Sequence, residues 1–194
     1  MTVTRNSRAD VVRAAGRLFA ARGYHGTSMR DLGRELGLQG SSLYSHITSK
    51  EDLLVEVVEA GAELFERSAT RALEETEEPI ERLRLLVGGH VGVVLDHLDE
   101  ARTFLNEAQA LERDHRAVVI KARDRYESVF RSVIRQGIES GELRPDLDVR
   151  MTAIYLLSVL NAIDRWYRPE GELDRDALVD SIMEFVVRGA NRVR

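Results

Sequence analysis

The sequence predicts an all-α fold, and three observations lead there. Apolar residues recur at three- and four-residue spacing along almost the whole chain, and no segment alternates as a strand would. Caps, prolines and glycines punctuate that pattern at helix-like intervals. Roughly nine helices with short connections result, a layout suited to a helical chain of this size.

The first helix is entered through Ser7-x-x-Asp10, a capping-box spacing, and carries Val11, Ala15, Leu18 and Phe19 on one face. Gly23 interrupts it. Thr27 and Ser28 supply the next N-cap, Leu32 and Leu36 the apolar face, and Gly37 the end. A tight turn from Gly37 to Gly40 leads into a very short segment, Ser41 to Ile47. Thr48-x-x-Glu51 then opens a helix bearing Leu53, Leu54, Val57, Val58, Leu64 and Phe65. Pro79 fits a first helical position before Ile80, Leu83, Leu86, Val87, Val91, Val94, Leu95 and Leu98. Phe104, Leu105, Ala108 and Leu111 mark a short helix. Val118, Ala122, Tyr126, Val129, Phe130, Val133, Ile134 and Ile138 mark a long one, closed by Gly141 and Pro145. Met151 to Tyr167 is apolar on almost every side. Pro169 and Gly171 end it, and Leu178, Ile182, Phe185 and Val186 define a last amphipathic helix.

Composition narrows the class. The 194 residues are 43% hydrophobic and 31% charged, enough for a packed core. There is no run of eighteen apolar residues, and Met1 to Arg8 lacks the apolar centre of a secretory signal, so no membrane partner is expected. With no cysteine, disulfides and thiolate metal sites are excluded, and a cytoplasmic location is the expectation. The net charge of −5 hides an asymmetry. Residues 1–50 hold eight Lys/Arg against three Asp/Glu, whereas the remainder holds twenty against thirty. A basic head on an acidic body points to an anionic partner for the head alone.

The informative stretch is Thr27 to Leu54. Two short helices joined by a glycine-containing turn make a helix-turn-helix, with Leu32, Leu36, Leu38 and Leu43 packing the pair. Gln39, Ser41, Ser42, Tyr44 and His46 are left facing outward. Small residues at Gly40, Ser41 and Ser42 let backbone and side chains approach base edges in a major groove. Capped N-termini at Thr27 and Thr48, with Lys50 beside the second, can hold phosphates through free backbone N–H groups.

This stretch resembles the TetR family of transcriptional regulators. The resemblance lies in Leu18-Phe19 followed by Gly23-Tyr24, in Thr27-Ser28-Met29-Arg30-Asp31-Leu32, and in Gly37 through Leu53. It covers about the first 55 residues. Ile47 stands where the family usually has an aromatic, and Leu32-Gly33 where Ile-Ala is commoner; both are packing positions. The resemblance implies an N-terminal three-helix helix-turn-helix domain over 1–50 and an effector-binding and dimerisation domain of about six helices over 51–194. It implies double-stranded DNA, as a palindromic operator, for the partner of a homodimer. Phosphate contacts fall to Thr27, Tyr44, His46 and Lys50, with Ser28 beside them, and base-facing positions to Gln39, Gly40, Ser41 and Ser42.

The second half offers two further expectations. Tyr155, Leu156, Val159, Leu160 and Ile163, with Leu178, Ile182 and Phe185, form either a four-helix dimer interface or an internal core. Val87-Gly88-Gly89-His90-Val91-Gly92 places three glycines inside a helix, each costing about 1 kcal/mol against alanine, so close packing or room for a ligand must compensate. His90, Asn106, Gln109, Asn161 and Trp166 are candidate ligand contacts or, equally, ordinary interhelical partners. His90 and His97 lie seven apart with no third or fourth metal ligand, so no metal and no cofactor is expected.

The motifs NEAQAL, GELRPDLDV and RWYRPEGEL, over residues 104–173, resemble a TetR-type subgroup regulating fatty-acid, steroid and aromatic-acid breakdown in response to acyl-CoA thioesters. An acyl-CoA needs cations for its phosphates, and Arg113, Arg116, Lys121, Arg123 and Arg125 form a local cluster; ion pairs with Glu112, Asp114 and Asp124 are the bland alternative. A multidrug-sensing regulator of an efflux pump and a purely structural helical dimer are the competing readings. An enzyme is not expected, because no nucleophile, base and oxyanion donors converge.

Overall fold

A computed structural model of the chain describes residues 7–38, 47–168 and 170–190. Every regular element among them is helical: α1 (Arg8–Arg22), α2 (Met29–Leu36), α3 (Lys50–Glu75), α4 (Pro79–Asp96), α5 (Leu98–Asn106), a 3-10 turn (Glu107–Ala110), α6 (Arg113–Glu139), α7 (Val149–Asn161), the single turn α8 (Ile163–Trp166) and α9 (Arg175–Ala190). The all-α expectation therefore holds.

Capping chemistry sets the boundaries. Ser7 and Asp10 exchange side-chain and backbone hydrogen bonds as a capping box at α1. Ser28 and Asp31 do the same at α2, so Ser28, rather than Thr27, is the cap. At α3 the Ser49 hydroxyl accepts the Asp52 N–H at 3.0 Å, a role the sequence pattern gives to Thr48. The helix expected to run from Pro79 through Leu98 breaks at His97, and Leu98 opens α5 instead. The expected 151–167 helix likewise divides at Ala162 into α7 and α8.

The chain forms two compact units, and neither is a continuous stretch. The first joins the residues up to Glu63 with His97–Lys121. In it α1 packs on α2 and on α5, burying Val11, Leu18, Phe19, Leu32, Leu53, Leu54, Val57 and Phe104. Each such side chain contributes about 1.5–3 kcal/mol when fully withdrawn from water. Gly61 lets α3 and α5 approach: a Cβ there would stand 2.7 Å from the Glu100 carbonyl oxygen and 2.8 Å from Phe104 Cβ.

The second unit joins Leu64–Asp96 with the residues from Ala122 onward. In it α4 is the central helix, packing on α7, α8 and α9 and burying Leu83, Leu86, Val87, Val91 and Val94. The three glycines of α4 divide in role. A Cβ on Gly89 would collide with the Ser68 hydroxyl, whereas one on Gly88 or Gly92 would meet nothing closer than 4.0 Å.

The all-apolar segment resolves into faces. Leu160, Ile163 and Leu178 are core residues of their own unit, at most 1% exposed, which corrects their assignment to a dimer interface. Successive helical residues turn by about 100°, so Tyr155, Val159 and Phe185 point outward instead, with Phe185 72% exposed. Leu156 and Ile182 are buried but still line the groove that these residues border. Val118, expected in the core, is half exposed on α6.

Candidate functional site

The turn between α1 and α2 is fastened from three sides. The Gly23 N–H closes α1 on the Phe19 carbonyl at 2.8 Å, and its φ of +73° suits glycine. Thr27 is 2% exposed, and its hydroxyl is shared between the carbonyl oxygens of Leu18 (3.2 Å) and Gly23 (3.0 Å). Lys50, at the start of α3, donates to the carbonyl oxygens of Tyr24 and Thr27 and lies over the Tyr24 ring. Burial lowers its pKa. The Tyr24 N–H in turn donates to the Glu107 carboxylate at 3.0 Å.

The roles implied for these residues change accordingly. The Thr27 side chain is a buried clamp of the turn, so it is corrected from a phosphate ligand to a residue that shapes the approach to α2. Two of the three ammonium protons of Lys50 are engaged inside the protein. Ser28 is exposed at the N-terminus of α2, its hydroxyl occupied by the capping box. Gln39, Gly40, Ser41, Ser42, Tyr44 and His46 lie outside the described residues. Sequence reasoning missed Glu107 and read Glu51 only as part of a helix cap. The Glu51 carboxylate accepts the Glu112 N–H at 2.9 Å and sits 3.1 Å from His115 Nδ1. Neither contact has a signature in spacing, because the partners are over sixty residues apart.

A second polar cluster lies in the core of the second unit. His90, 1% exposed, meets Tyr126 through Nδ1···Oη at 3.2 Å and Phe65 ring to ring at 4.7 Å. Tyr126 continues the cluster to Phe65 and Phe130, with centroids 5.4 and 5.3 Å away. Burial lowers the His90 pKa to about 3 and raises that of Tyr126, so both are neutral. His90 Nε2 and Ser68 Oγ are buried without a hydrogen-bond partner.

Residues 11–57 match the family model described as bacterial regulatory proteins, tetR family, and residues 76–190 match the tetracyclin repressor-like C-terminal domain. The chain belongs to the tetR family. It is a DNA-binding transcription regulator, not an enzyme. It is similar to the HTH-type transcriptional repressor KstR2 of Mycobacterium tuberculosis, 28% identical over 186 residues, which span 95% of this chain and 93% of that one. Among solved structures it resembles the TetR-family regulator PfmR of Thermus thermophilus, with a TM-score of 0.84, 31% identity, and coverage of 94% and 99%. It also resembles AibR in complex with isovaleryl coenzyme A and operator DNA, with a TM-score of 0.85, 27% identity, and coverage of 92% and 96%.

In this TetR-family regulator the six candidate ligand contacts do not share one unit. His90, Asn161 and Trp166 belong to the second, whereas Asn106, Gln109 and Arg113 belong to the first. Trp166 is half exposed, and Asn106, Gln109 and Arg113 are exposed. Only His90 combines full burial with an unsatisfied atom. Within the basic cluster, Arg116 donates to the Gln109 and Leu111 carbonyl oxygens, and Arg125 pairs with Glu66. Among the described residues no group of histidines and carboxylates gathers to hold a metal, and no helix is long and apolar enough to cross a membrane.

Proposed function

We propose that this regulator is a cytoplasmic repressor that binds a palindromic operator as a homodimer and is released by a small apolar or acyl-CoA-type effector. Its likeness along nearly the whole chain to AibR, a structure holding isovaleryl coenzyme A and operator DNA, is the observation that carries this reading. The segment Gln39–His46 reads the operator, with Ser28 before it and Lys50 after it in the sequence. Residues from 51 onward supply the effector and dimer functions.

Self-association draws support from an apolar groove of about 570 Å³ in the second unit, bordered by Met151, Tyr155, Val159, Ile182 and Phe185. Exposed aromatic and aliphatic side chains gathered in this way suit a second copy of the same face. A dimer also lets two reading heads address half-sites about 34–36 Å or more apart.

The test is selection of bound sequences from random duplex DNA at physiological salt, repeated with a series of acyl-CoA thioesters. A palindromic motif is expected, with operator affinity lowered about 5- to 150-fold by an active thioester. Binding without sequence preference overturns the operator reading. An operator affinity unmoved by every thioester overturns the effector class.

A further inference from the structure

Buried donors and acceptors in native proteins are nearly always satisfied, which makes the core of the second unit unusual. His90 Nε2 and Ser68 Oγ are both left without partners there. The two residues meet the same helix pair. Ser68 lies one turn beyond Phe65 on α3, its hydroxyl against the backbone at Gly89, and His90 is the next residue of α4, its ring tilted against that of Phe65.

The tautomer follows from counting protons. If Nδ1 carried the hydrogen, it would donate to Tyr126 Oη, leaving both the Tyr126 O–H and the Nε2 lone pair unmatched. If Tyr126 donates to a bare Nδ1, one unmatched group remains, the Nε2–H donor. An unmatched buried polar group costs about 1–3 kcal/mol, so the second arrangement prevails. The ring is neutral because burial holds its pKa near 3. The cluster thus presents a neutral N–H donor beside the rings of Phe65, Tyr126 and Phe130, with the Ser68 hydroxyl one residue earlier along α4, at Gly89.

We propose that His90 Nε2–H, assisted by Ser68, is the polar anchor of the effector site, and that it selects a ligand with an uncharged carbonyl oxygen on an apolar body: a ketone, ester or thioester, in preference to a free carboxylate. The proposal rests on the effector reading above and names its ligand chemistry. A neutral donor satisfies a carbonyl oxygen fully. A carboxylate brought to the same position loses its water without gaining a countercharge from His90 or Tyr126. Gly89 belongs to the same design, since any side chain there would displace Ser68 Oγ from the helix interface.

Calorimetry on the full-length protein tests this with three probe sets: CoA thioesters from isovaleryl to lauroyl, the thioethers in which CH2 replaces the carbonyl, and the free acids. The best thioester is expected to bind about tenfold more tightly than its thioether, the scale of one buried hydrogen bond, and more tightly than its acid. His90→Phe, which keeps an aromatic ring in the cluster, should abolish the thioester–thioether difference, and Ser68→Ala should reduce it. In the unaltered protein, ¹⁵N NMR should report an Nε2-protonated His90 whose signal moves with thioester and not with thioether; this readout does not depend on a variant folding. Equal affinity for thioester and thioether, with the thioester still releasing operator, overturns the anchor and leaves the effector reading intact. Tighter binding of the free acid overturns the carbonyl preference. Absence of binding by every thioester overturns both.

Discussion

Lys50 Nζ donates to the carbonyl oxygens of Tyr24 and Thr27, each at 2.8 Å, while standing 4.0 Å above the centre of the Tyr24 ring. The first residue of α3 thereby holds the turn from which α2 departs. Hydrogen bonds from a charged group are stronger than neutral ones, so Lys50→Met, which keeps the stem, is expected to cost about 1–2 kcal/mol in chemical denaturation. Operator affinity should fall with it. The dependence of log K on log salt separates two roles: an unchanged slope is expected for an internal tie, whereas a slope reduced by about one marks a phosphate contact.

The Glu51–His115 pair gives the first unit a pH signature. The hydrogen bond and charge of Glu51, with smaller help from Asp52 and Glu112, raise the His115 pKa above its ordinary 6.5. The folded protein therefore holds that proton more tightly than the unfolded chain does. The stabilisation is complete below pH 6.5 and is lost as pH rises through the raised value. Glu51 is shifted the opposite way, so its share is present above the ordinary carboxylate range and lost in acid. NMR titration should find His115 above 6.5 in the natural protein and back near that value in Glu51→Gln. An unmoved His115 in the variant would refute the pairing.

Glycine contacts predict opposite outcomes for two similar substitutions. At Gly61 the obstacles to a methyl group are the backbone oxygen of Glu100 and Phe104 Cβ, neither of which can rotate away. Gly61→Ala is therefore expected to destabilise by about 1–3 kcal/mol despite its better helix propensity. At Gly89 the obstacle is the Ser68 hydroxyl, so Gly89→Ala combined with Ser68→Ala should recover about 1 kcal/mol of propensity. A double-mutant cycle in urea measures the coupling.

The outward face of α7 and α9 predicts association. Phe185 and Tyr155 are 72% and 64% exposed, and aromatic residues at the centre of an interface commonly carry about 2 kcal/mol or more. Phe185→Glu should raise the dimer dissociation constant at least about thirtyfold, read by sedimentation, and weaken binding to a two-half-site operator. Leu160→Ala should instead lower Tm with little effect on dissociation, because Leu160 is wholly inside its own unit. Equal effects of both changes on dissociation would contradict this division of faces.

The helical frame was legible because capping boxes and 3.6-residue periodicity are local. Ser7–Asp10 and Ser28–Asp31 show their partners within one turn of sequence. The glycine run in α4 announced a constraint, yet only the packed structure tells Gly89, pressed on Ser68, from Gly88 and Gly92. The face assignment of 151–167 failed for a related reason. A segment apolar all round does not disclose which residues meet their own chain, so Leu160 and Tyr155 looked alike. Thr27 and Lys50 carried a family role in the sequence, while their hydrogen bonds depend on a turn whose shape no pattern encodes. Glu107 and Tyr24 are 83 positions apart, beyond the reach of any motif.

The first unit is assembled from two separated stretches of chain, and this bears on protein engineering. A fragment ending near residue 50 would carry α1 and α2 without Phe104 and Ala108, which are buried in that unit, and without the carboxylate that receives the Tyr24 N–H. Chimeric sensors that join this head to a foreign effector body therefore have three chain crossings to match, after Glu63, before His97 and after Lys121, rather than one. The portable cassette is the N-terminal portion plus the His97–Lys121 stretch, and a graft made at the obvious single junction begins with a partly unwrapped core.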